Sequence, residues 1–529
     1  MFETGTATDY LDLLEKLNTF LKTNGSAFGL VYAGTGNGTL TGYKGGSASV
    51  AETFTITATS ATNFTVVGSV SGSLAAATVG TPYTGTKVQF LLTAGGTAFI
   101  AGDVFTLSTA PKWTELRRAR GCTVVASSGG SGQNAAENLV DGKTALDSTR
   151  SWTPIVDDCN AEFTLQTAET IVEYALLADG TFGPKTWTLE YWNGSTWVTL
   201  DTQTNFAGFG GAGVGSLQAF TIASPVSASR YRIHPTAWNG GTRHLHAVQL
   251  RRTASGFDAA FGQYLWKAPG NDGTSDINVG IHHFRRLDAD YFNWELAAFD
   301  GHNAASSFYA QPGAQANLYL TLHNTSIPYW FVCDGRRVVV VAKIGSQYEP
   351  AFLGLLEPYF TPGQVPLPMA LGGTLAIETK PTWDQAAWRH SNTTNAHRAP
   401  THSDPNVGSF SRALAAYQLR ARKPDGSWAG FNASWNDSFT ALFAPDHWIW
   451  PYAGDFNLLD VNLDGGYALW PVMLMHATPN VLGQLAGISA VTGQGLTAES
   501  TVRVGQVDHL TVPNITRTDR NDWLAVRLD

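Results

Sequence analysis

The chain has 529 residues and a formal net charge of −9 at neutral pH; 43% of its residues are apolar, only 14% are charged, and 55 are Gly. An acidic chain lacks the basic surface needed to neutralise phosphates, which argues against nucleic-acid binding as its main task. Little charge with much Gly, Thr and aromatic side chain fits a turn-rich β protein and speaks against a coiled coil or a disordered tail.

The opening residues, Met1-Phe2-Glu3-Thr4, carry neither a basic nor an apolar run and do not read as a secretory signal. No stretch approaches the ~18 consecutive apolar residues of a membrane span. Cys122, Cys159 and Cys333 are too few and too scattered for a disulfide framework or a zinc site, so thiols made in a reducing cytosol are expected. From Tyr10 to Lys22, Leu11, Leu13, Leu14, Leu17, Phe20 and Leu21 recur at spacings of three and four, one face of a helix. Asp9 is its expected N-cap and Asn24-Gly25 its stop, giving an N-terminal helical segment over 1–25. That face packs either on its own chain or on a neighbouring subunit. Over 26–112 the chain is poor in charge and rich in Gly, Thr and Ser; Glu52–Thr59, Asn63–Val70 and Lys87–Ala94 alternate with period two, as in a small β-sandwich. Trp113–Arg120 is a short charged strip that reads as a junction.

The span 117–252 holds an ordered set of features: Ala135-Ala136-Glu137-Asn138-Leu139-Val140-Asp141-Gly142, Trp152, Pro184-Lys185-Thr186-Trp187-Thr188-Leu189-Glu190-Tyr191, Trp197-Val198-Thr199-Leu200-Asp201 and Ser229-Arg230-Tyr231-Arg232-Ile233. Trp187, Leu189 and Tyr191 face one way, towards a core, and Asn193-Gly194 suits a two-residue hairpin turn because both positions tolerate φ > 0. This order resembles the discoidin, or F5/8 type C, family of carbohydrate-binding domains. The resemblance implies an eight-stranded jelly roll that binds and does not catalyse. It also implies a structural calcium held by loop oxygens, here Asp141, Asn138 and Ser148 or Thr149, with Gln249 standing where the family usually adds an acid. A plain Asx-type turn at Asp141 is the other reading.

Family ligands bind on loops at one end of the sandwich, here Thr153–Asn160, Asp179–Pro184, Asn205–Gly215 and Thr236–His246. Trp238 offers a flat apolar face for a sugar ring; Arg243, Asn239, His244 and His246 offer directional hydrogen bonds, and Phe182 and Phe209 sit on neighbouring loops. Packing against other parts of the chain is the alternative use of the same residues.

From 253 to 529 the chain reads as a β-rich domain with Pro-aromatic junctions such as Ile327-Pro328-Tyr329-Trp330, and no internal repeat is found. Tyr10–Leu17, Ser326–Phe331, Phe352–Pro368 and Thr516–Asp529 resemble a family of phage virion proteins from tail or baseplate regions, a structural family with no assigned chemistry. The jelly roll then reads as an insertion that varies an adhesive surface.

Enzyme chemistry finds little footing. A glycosidase needs two carboxylates roughly 5–9.5 Å apart, and Asp157-Asp158, Asp288 with Asp290, and Asp460 with Asp464 are spaced no differently from turn acids. Neither a G-x-S-x-G nor an H-E-x-x-H motif occurs. His282 and His283 should point to opposite faces of a strand. His390, His397 and His402 lie in a polar loop, and Asp460–Gly465 lacks the Glu of a calcium loop, because position 471 is Pro471.

The expected protein is mainly β and multidomain, not an enzyme, made in the host cytoplasm and built into a virion tail or baseplate. Its partners would be other phage tail or baseplate proteins and host-surface glycan, with no nucleic acid and no membrane span. A homo-oligomer is expected from the low charge and many aromatics, and a trimer by analogy with tail symmetry. The alternatives are a tail-associated glycan-degrading enzyme and a pure scaffold with the jelly roll as spacer.

Overall fold

The structure, a computed structural model, describes residues 2–24, 26–46, 52–111, 113–130, 134–142, 146, 151–211, 213, 215–254, 258–269, 275–283, 294–320, 322–333, 337–358, 368–373, 419–431, 447–450, 466–476, 480–505, 507–513 and 523–528. Ser148, Thr149, Asp288, Asp290, His390, His397, His402, Asp460 and Asp464 lie outside these residues. The protein is mainly β, with one α-helix, Tyr10–Asn24, among the described residues. Cys122, Cys159 and Cys333 form no disulfide. Among the described residues no helix is long and apolar enough to cross a membrane.

The chain divides into two compact units. The first joins Met1–Glu115, Trp266–Ile277 and His323–Asp529; the second, Leu116–Leu265 with Asn278–Leu322, is inserted within it. In the first unit, Asp9 caps the helix: its Oδ1 accepts from the backbone N–H groups of Leu11 and Asp12, each at 2.8 Å. Such a cap contributes about 1 kcal/mol. Burial of the stripe Leu13, Leu14, Leu17, Phe20 and Leu21 stabilises the helix more, at about 2 kcal/mol per side chain. The stripe packs on its own chain, with the Phe20 ring 5.7 Å from that of Phe331. A strand that no sequence pattern announces, Phe2–Ala7, pairs antiparallel with Ile327–Cys333 from Phe2↔Val332 to Ala7↔Ile327. It forms the edge of a seven-stranded sheet that continues through Arg337–Ile344 and Gln347–Leu355. Val332, Phe352 and Leu356 share one core with Leu510, Leu524 and Val526 from near the C-terminus.

The Gly- and Thr-rich region of the same unit folds as two sheets over a core that includes Phe54, Ile56, Phe64, Val66, Phe90, Phe99, Phe105 and Leu107. Its strands alternate as their period-two pattern requires; Asn63–Gly68 is exposed and buried by turns.

The second unit contains the eight-stranded sandwich. A five-stranded sheet runs Cys122–Ala126, Ala161–Thr170, Ser227–Trp238, Pro184–Trp192, Trp197–Gln203, and faces a three-stranded sheet of Gly215–Thr221, Glu173–Asp179 and Ala247–Arg251. Trp152, Phe163, Tyr174, Trp187, Leu189, Phe209, Tyr231 and Ile233 fill the space between them. The buried polar tips are satisfied. Trp187 Nε1 donates to Tyr174 Oη at 3.0 Å, and Tyr174 Oη donates to Asp201 at 2.6 Å. The Asn193-Gly194 turn differs from the expected two-residue form. Trp192 pairs directly with Trp197, leaving a four-residue loop. Asn193 closes it twice over: its N–H donates to Thr196 O at 3.1 Å, and its Oδ1 accepts from the N–H groups of Ser195 and Thr196, both at 2.9 Å. The charged strip also has a structural role: Arg117 is buried, donates to the carbonyls of Ala304 (2.7 Å) and Ser306 (2.9 Å), and is pushed down to about 10 by that burial.

Candidate glycan-binding loops

One end of the sandwich gathers Ser127–Gly130, Ser151–Asn160, Asp179–Gly183 and Trp238–His246. Asp179, at the end of its strand, orders the Phe182 loop by accepting from the N–H groups of Thr181 (2.9 Å) and Phe182 (2.8 Å). The Trp238–His246 loop is laced onto it, because Asn239 N–H donates to Gly183 O and His244 N–H donates to Phe182 O, both at 3.0 Å. Gly240 is needed for this packing, since a Cβ there would lie 2.5 Å from Thr181 O. The neighbouring Gly241 faces open space.

The result is a polar cluster with an aromatic edge. His244 Nδ1 lies 2.9 Å from Ser151 Oγ and 3.4 Å from Thr153 Oγ1, and Thr153 Oγ1 donates to Asn134 Oδ1 at 3.3 Å. The Phe182 ring meets His244 edge-on at 5.6 Å, and the His246 ring lies nearly parallel to that of His244 at 6.2 Å. Burial, and after it His246, holds the His244 imidazole below its usual value. A neutral ring can accept as well as donate, as vicinal hydroxyls require. Asn239 Nδ2, on the same loop, is a donor with no hydrogen-bond partner among the described residues.

Phe182, Asn239, His244 and His246 therefore come together. Arg243 joins the same end, but its Nε is engaged by Asp157 Oδ1 at 2.7 Å. Trp238 does not present an open face. It is 8% exposed, packs edge-on against Trp152 at 6.2 Å and donates its Nε1 to Asp157 O at 3.1 Å, because the Thr153–Asn160 loop folds over it. Phe209 is fully buried, 5.9 Å from Trp187. Ser151, Thr153 and Asn134 carry no local mark in the sequence; they acquire a role only through contact with His244. The exposed apolar side chains Ile155 and Val156 of the covering loop are likewise unmarked by any pattern.

Of the expected calcium donors, Ser148 and Thr149 lie outside the described residues. Asn138 lies in the short helix Ala136–Val140, followed directly by Asp141. Gln249 Oε1 is occupied by Arg251, whose Nε and Nη2 donate to it at 3.0 and 2.7 Å. A calcium ion takes six to eight oxygens, and no group of three or more His, Cys, Asp or Glu able to hold a metal occurs among the described residues. Of the carboxylate pairs, Asp157 is bound to Arg243, and Asp158 to His234 Nε2 at 2.7 Å. His282 and His283 diverge as expected of strand neighbours. The first faces Glu295 and Tyr309, and the second lies against Gly262.

No family model matches the chain, and no curated protein matches it. Solved structures match over about a quarter of its length. Chitosan-binding module 1 of a chitosanase/glucanase from Paenibacillus sp. IK-5 is 21% identical, covering 24% of this chain and 92% of that one, with a TM-score of 0.20. The family 32 carbohydrate-binding module of Streptococcus pneumoniae EndoD is 17% identical, covering 26% and 100%, with a TM-score of 0.22. The family 32 module of Clostridium perfringens NanJ, in complex with galactose, is 15% identical, covering 26% and 96%, with a TM-score of 0.21.

Proposed function

We propose that this chain is a structural component of a phage tail or baseplate whose inserted sandwich contacts host-surface glycan. The observation that carries the glycan reading is the loop cluster. Phe182 supplies an apolar edge beside His244, Ser151, Thr153 and Asn134, a set of linked acceptors and donors of the kind that recognises hydroxyls. Two placements support the virion reading. The helix and the Ile327–Cys333 strand, which overlap the segments Tyr10–Leu17 and Ser326–Phe331 that resemble the phage family, pack together although far apart in sequence, and the segments of their unit flank the sandwich in sequence.

A single shallow site of this kind binds near millimolar, which is only about 4 kcal/mol. Copies on one particle compensate through effective concentration. The full chain, displayed multivalently on a glycan array, should retain a defined set of sugars and return them uncleaved. Phe182→Ala and His244→Ala should each lower retention at least fivefold with unchanged melting. Cleaved sugars would favour a glycan-degrading enzyme. Particles that adsorb normally with both substitutions would favour a spacer.

A further inference from the structure

We propose that Asn239-Gly240 is a site of spontaneous covalent modification, at which the Asn239 amide converts to aspartate and isoaspartate while the protein stays folded. The sequence contains four Asn-Gly dipeptides, at 24–25, 37–38, 193–194 and 239–240. In each, the backbone nitrogen after the Asn belongs to a residue without a Cβ, so little shields it from the side chain before it. The fold treats the last three differently.

At Asn37, Oδ1 accepts from the Thr97 N–H at 2.7 Å, and the side chain is packed so closely that a Cβ on Gly95 would lie 2.1 Å from that oxygen. At Asn193, Oδ1 accepts from the N–H groups of Ser195 and Thr196, both at 2.9 Å, and from Ser195 Oγ at 3.0 Å, while Nδ2 donates to Thr196 Oγ1 at 3.4 Å. Both amides must give up these contacts before they can turn onto the next nitrogen. The Asn239 side chain makes no hydrogen bond among the described residues, and its Nδ2 is buried. A buried donor without a partner is costly, so loss of this NH2 group removes a penalty instead of breaking a bond.

The step needs only water. The Gly240 nitrogen attacks Asn239 Cγ; the N–Cγ bond forms, the Cγ–Nδ2 bond breaks, and Nδ2 leaves as ammonia with the proton of the Gly240 N–H. The cyclic imide takes up one water at either carbonyl and opens to aspartate or isoaspartate. Both products place a carboxylate on the loop that carries Arg243 and His244. Isoaspartate also adds a carbon to the main chain between the Asn239 and His244 N–H groups, whose bonds to Gly183 O and Phe182 O hold the two loops in register. A second consequence, which rests on the glycan reading of these loops, is that retention falls as the protein ages.

Incubation of the full chain in mildly alkaline buffer, followed by peptide mapping that separates aspartate from isoaspartate, tests the modification without any ligand. Position 239 should convert at least tenfold faster than 37 and 193 in the folded protein, and the three rates should converge in urea. Three results would overturn the proposal: 239 intact while 37 or 193 converts, equal rates at all three in the folded chain, or the same ranking in urea, which would place the selection in the local sequence and not in the fold. Samples taken through the incubation should lose glycan retention in step with conversion, whereas Asn239→Gln, whose longer side chain closes the ring far more slowly, should hold its starting value. Conversion at 239 with unchanged retention would uphold the modification and count only against Asn239 in the glycan site.

Discussion

Two buried titratable groups in the second unit make opposing demands on pH, and Asp258→Asn separates them. Asp258 is buried and its Oδ1 accepts from the N–H groups of Leu250 and Ala260, both at 2.9 Å; burial pushes its carboxyl up to about 6 from an ordinary 3.8. His283 is buried against Gly262; burial, with His282 adding to it, pushes its imidazole down to about 3 from an ordinary 6.5. Between about pH 6 and 4, the unfolded chain binds a proton at His283 that the folded unit refuses, so stability falls as pH falls. Over the same window the folded unit keeps a proton on Asp258 that the unfolded chain releases, so stability rises. Each slope is about 1.4 kcal/mol per pH unit, and they nearly cancel.

Asparagine at 258 keeps the Oδ1 acceptor for the Leu250 and Ala260 bonds, leaves the Phe261 N–H that the carboxyl also accepts to be shared with them, and removes the titration. The two-unit elevation corresponds to about 3 kcal/mol carried by the buried charge at pH 7. Part of that relief is offset because the new amide N–H must find a partner, at about 1–2 kcal/mol. Asp258→Asn should therefore be more stable than the parent by about 1–2 kcal/mol at pH 7. It should then lose about 3 kcal/mol between pH 6 and 4, where the parent stays nearly flat. Hydrogen exchange of the Ala247–Arg251 strand, which reports on this unit alone, is the measurement. A variant less stable than the parent at pH 7, or equally flat below pH 6, would show that the carboxylate charge is favourable where it sits and refute the reasoning.

Other substitutions test separate parts of the fold. Asp9→Ala removes the helix cap and should cost about 1 kcal/mol in urea unfolding, with Asp9→Asn nearly neutral. Gly262→Ala sets a Cβ 2.3 Å from His283 Nε2 and should lower the melting temperature of the second unit by several degrees. Tyr174→Phe leaves Trp187 Nε1 and Asp201 without their shared hydroxyl and should cost about 1–3 kcal/mol. Chelation with EDTA should leave the melting of the full chain unchanged; a drop reversed by added calcium would show that Asp141 and Asn138 find further oxygens.

What the sequence made legible was local. The helix follows from its three- and four-residue spacing and from Asp9, and the strands of the sandwich from period-two runs such as Trp187, Leu189 and Tyr191. What it hid is held across long separations. Phe2–Ala7 is a short polar run, and it becomes a strand because Ile327–Cys333 offers a ladder; Thr4 Oγ1 reaches Tyr329 O, 325 positions away. The Asn193 turn escaped for a different reason, since one side-chain oxygen gathers two backbone N–H groups and lengthens the loop.

Trp238 shows the same limit at the candidate site and fixes how the site must be tested. A Trp beside Asn239-Gly240-Gly241 reads locally as a stacking platform, yet its indole is covered by a loop that begins 85 positions earlier, at Thr153, and bonds it through Asp157 O. Trp238→Ala would open a cavity against Trp152 and cost about 3–5 kcal/mol, so its loss of glycan retention would not separate binding from folding. Phe182 and His244 are half-buried side chains at the rim, and truncating either should cost under about 1 kcal/mol. The expected outcome is a dissociation: Trp238→Ala lowers the melting temperature of the second unit, while Phe182→Ala and His244→Ala lower glycan retention and leave melting where it was. If Trp238→Ala instead melts like the parent and alone abolishes retention, the loop over its ring opens in solution and the indole is the platform after all.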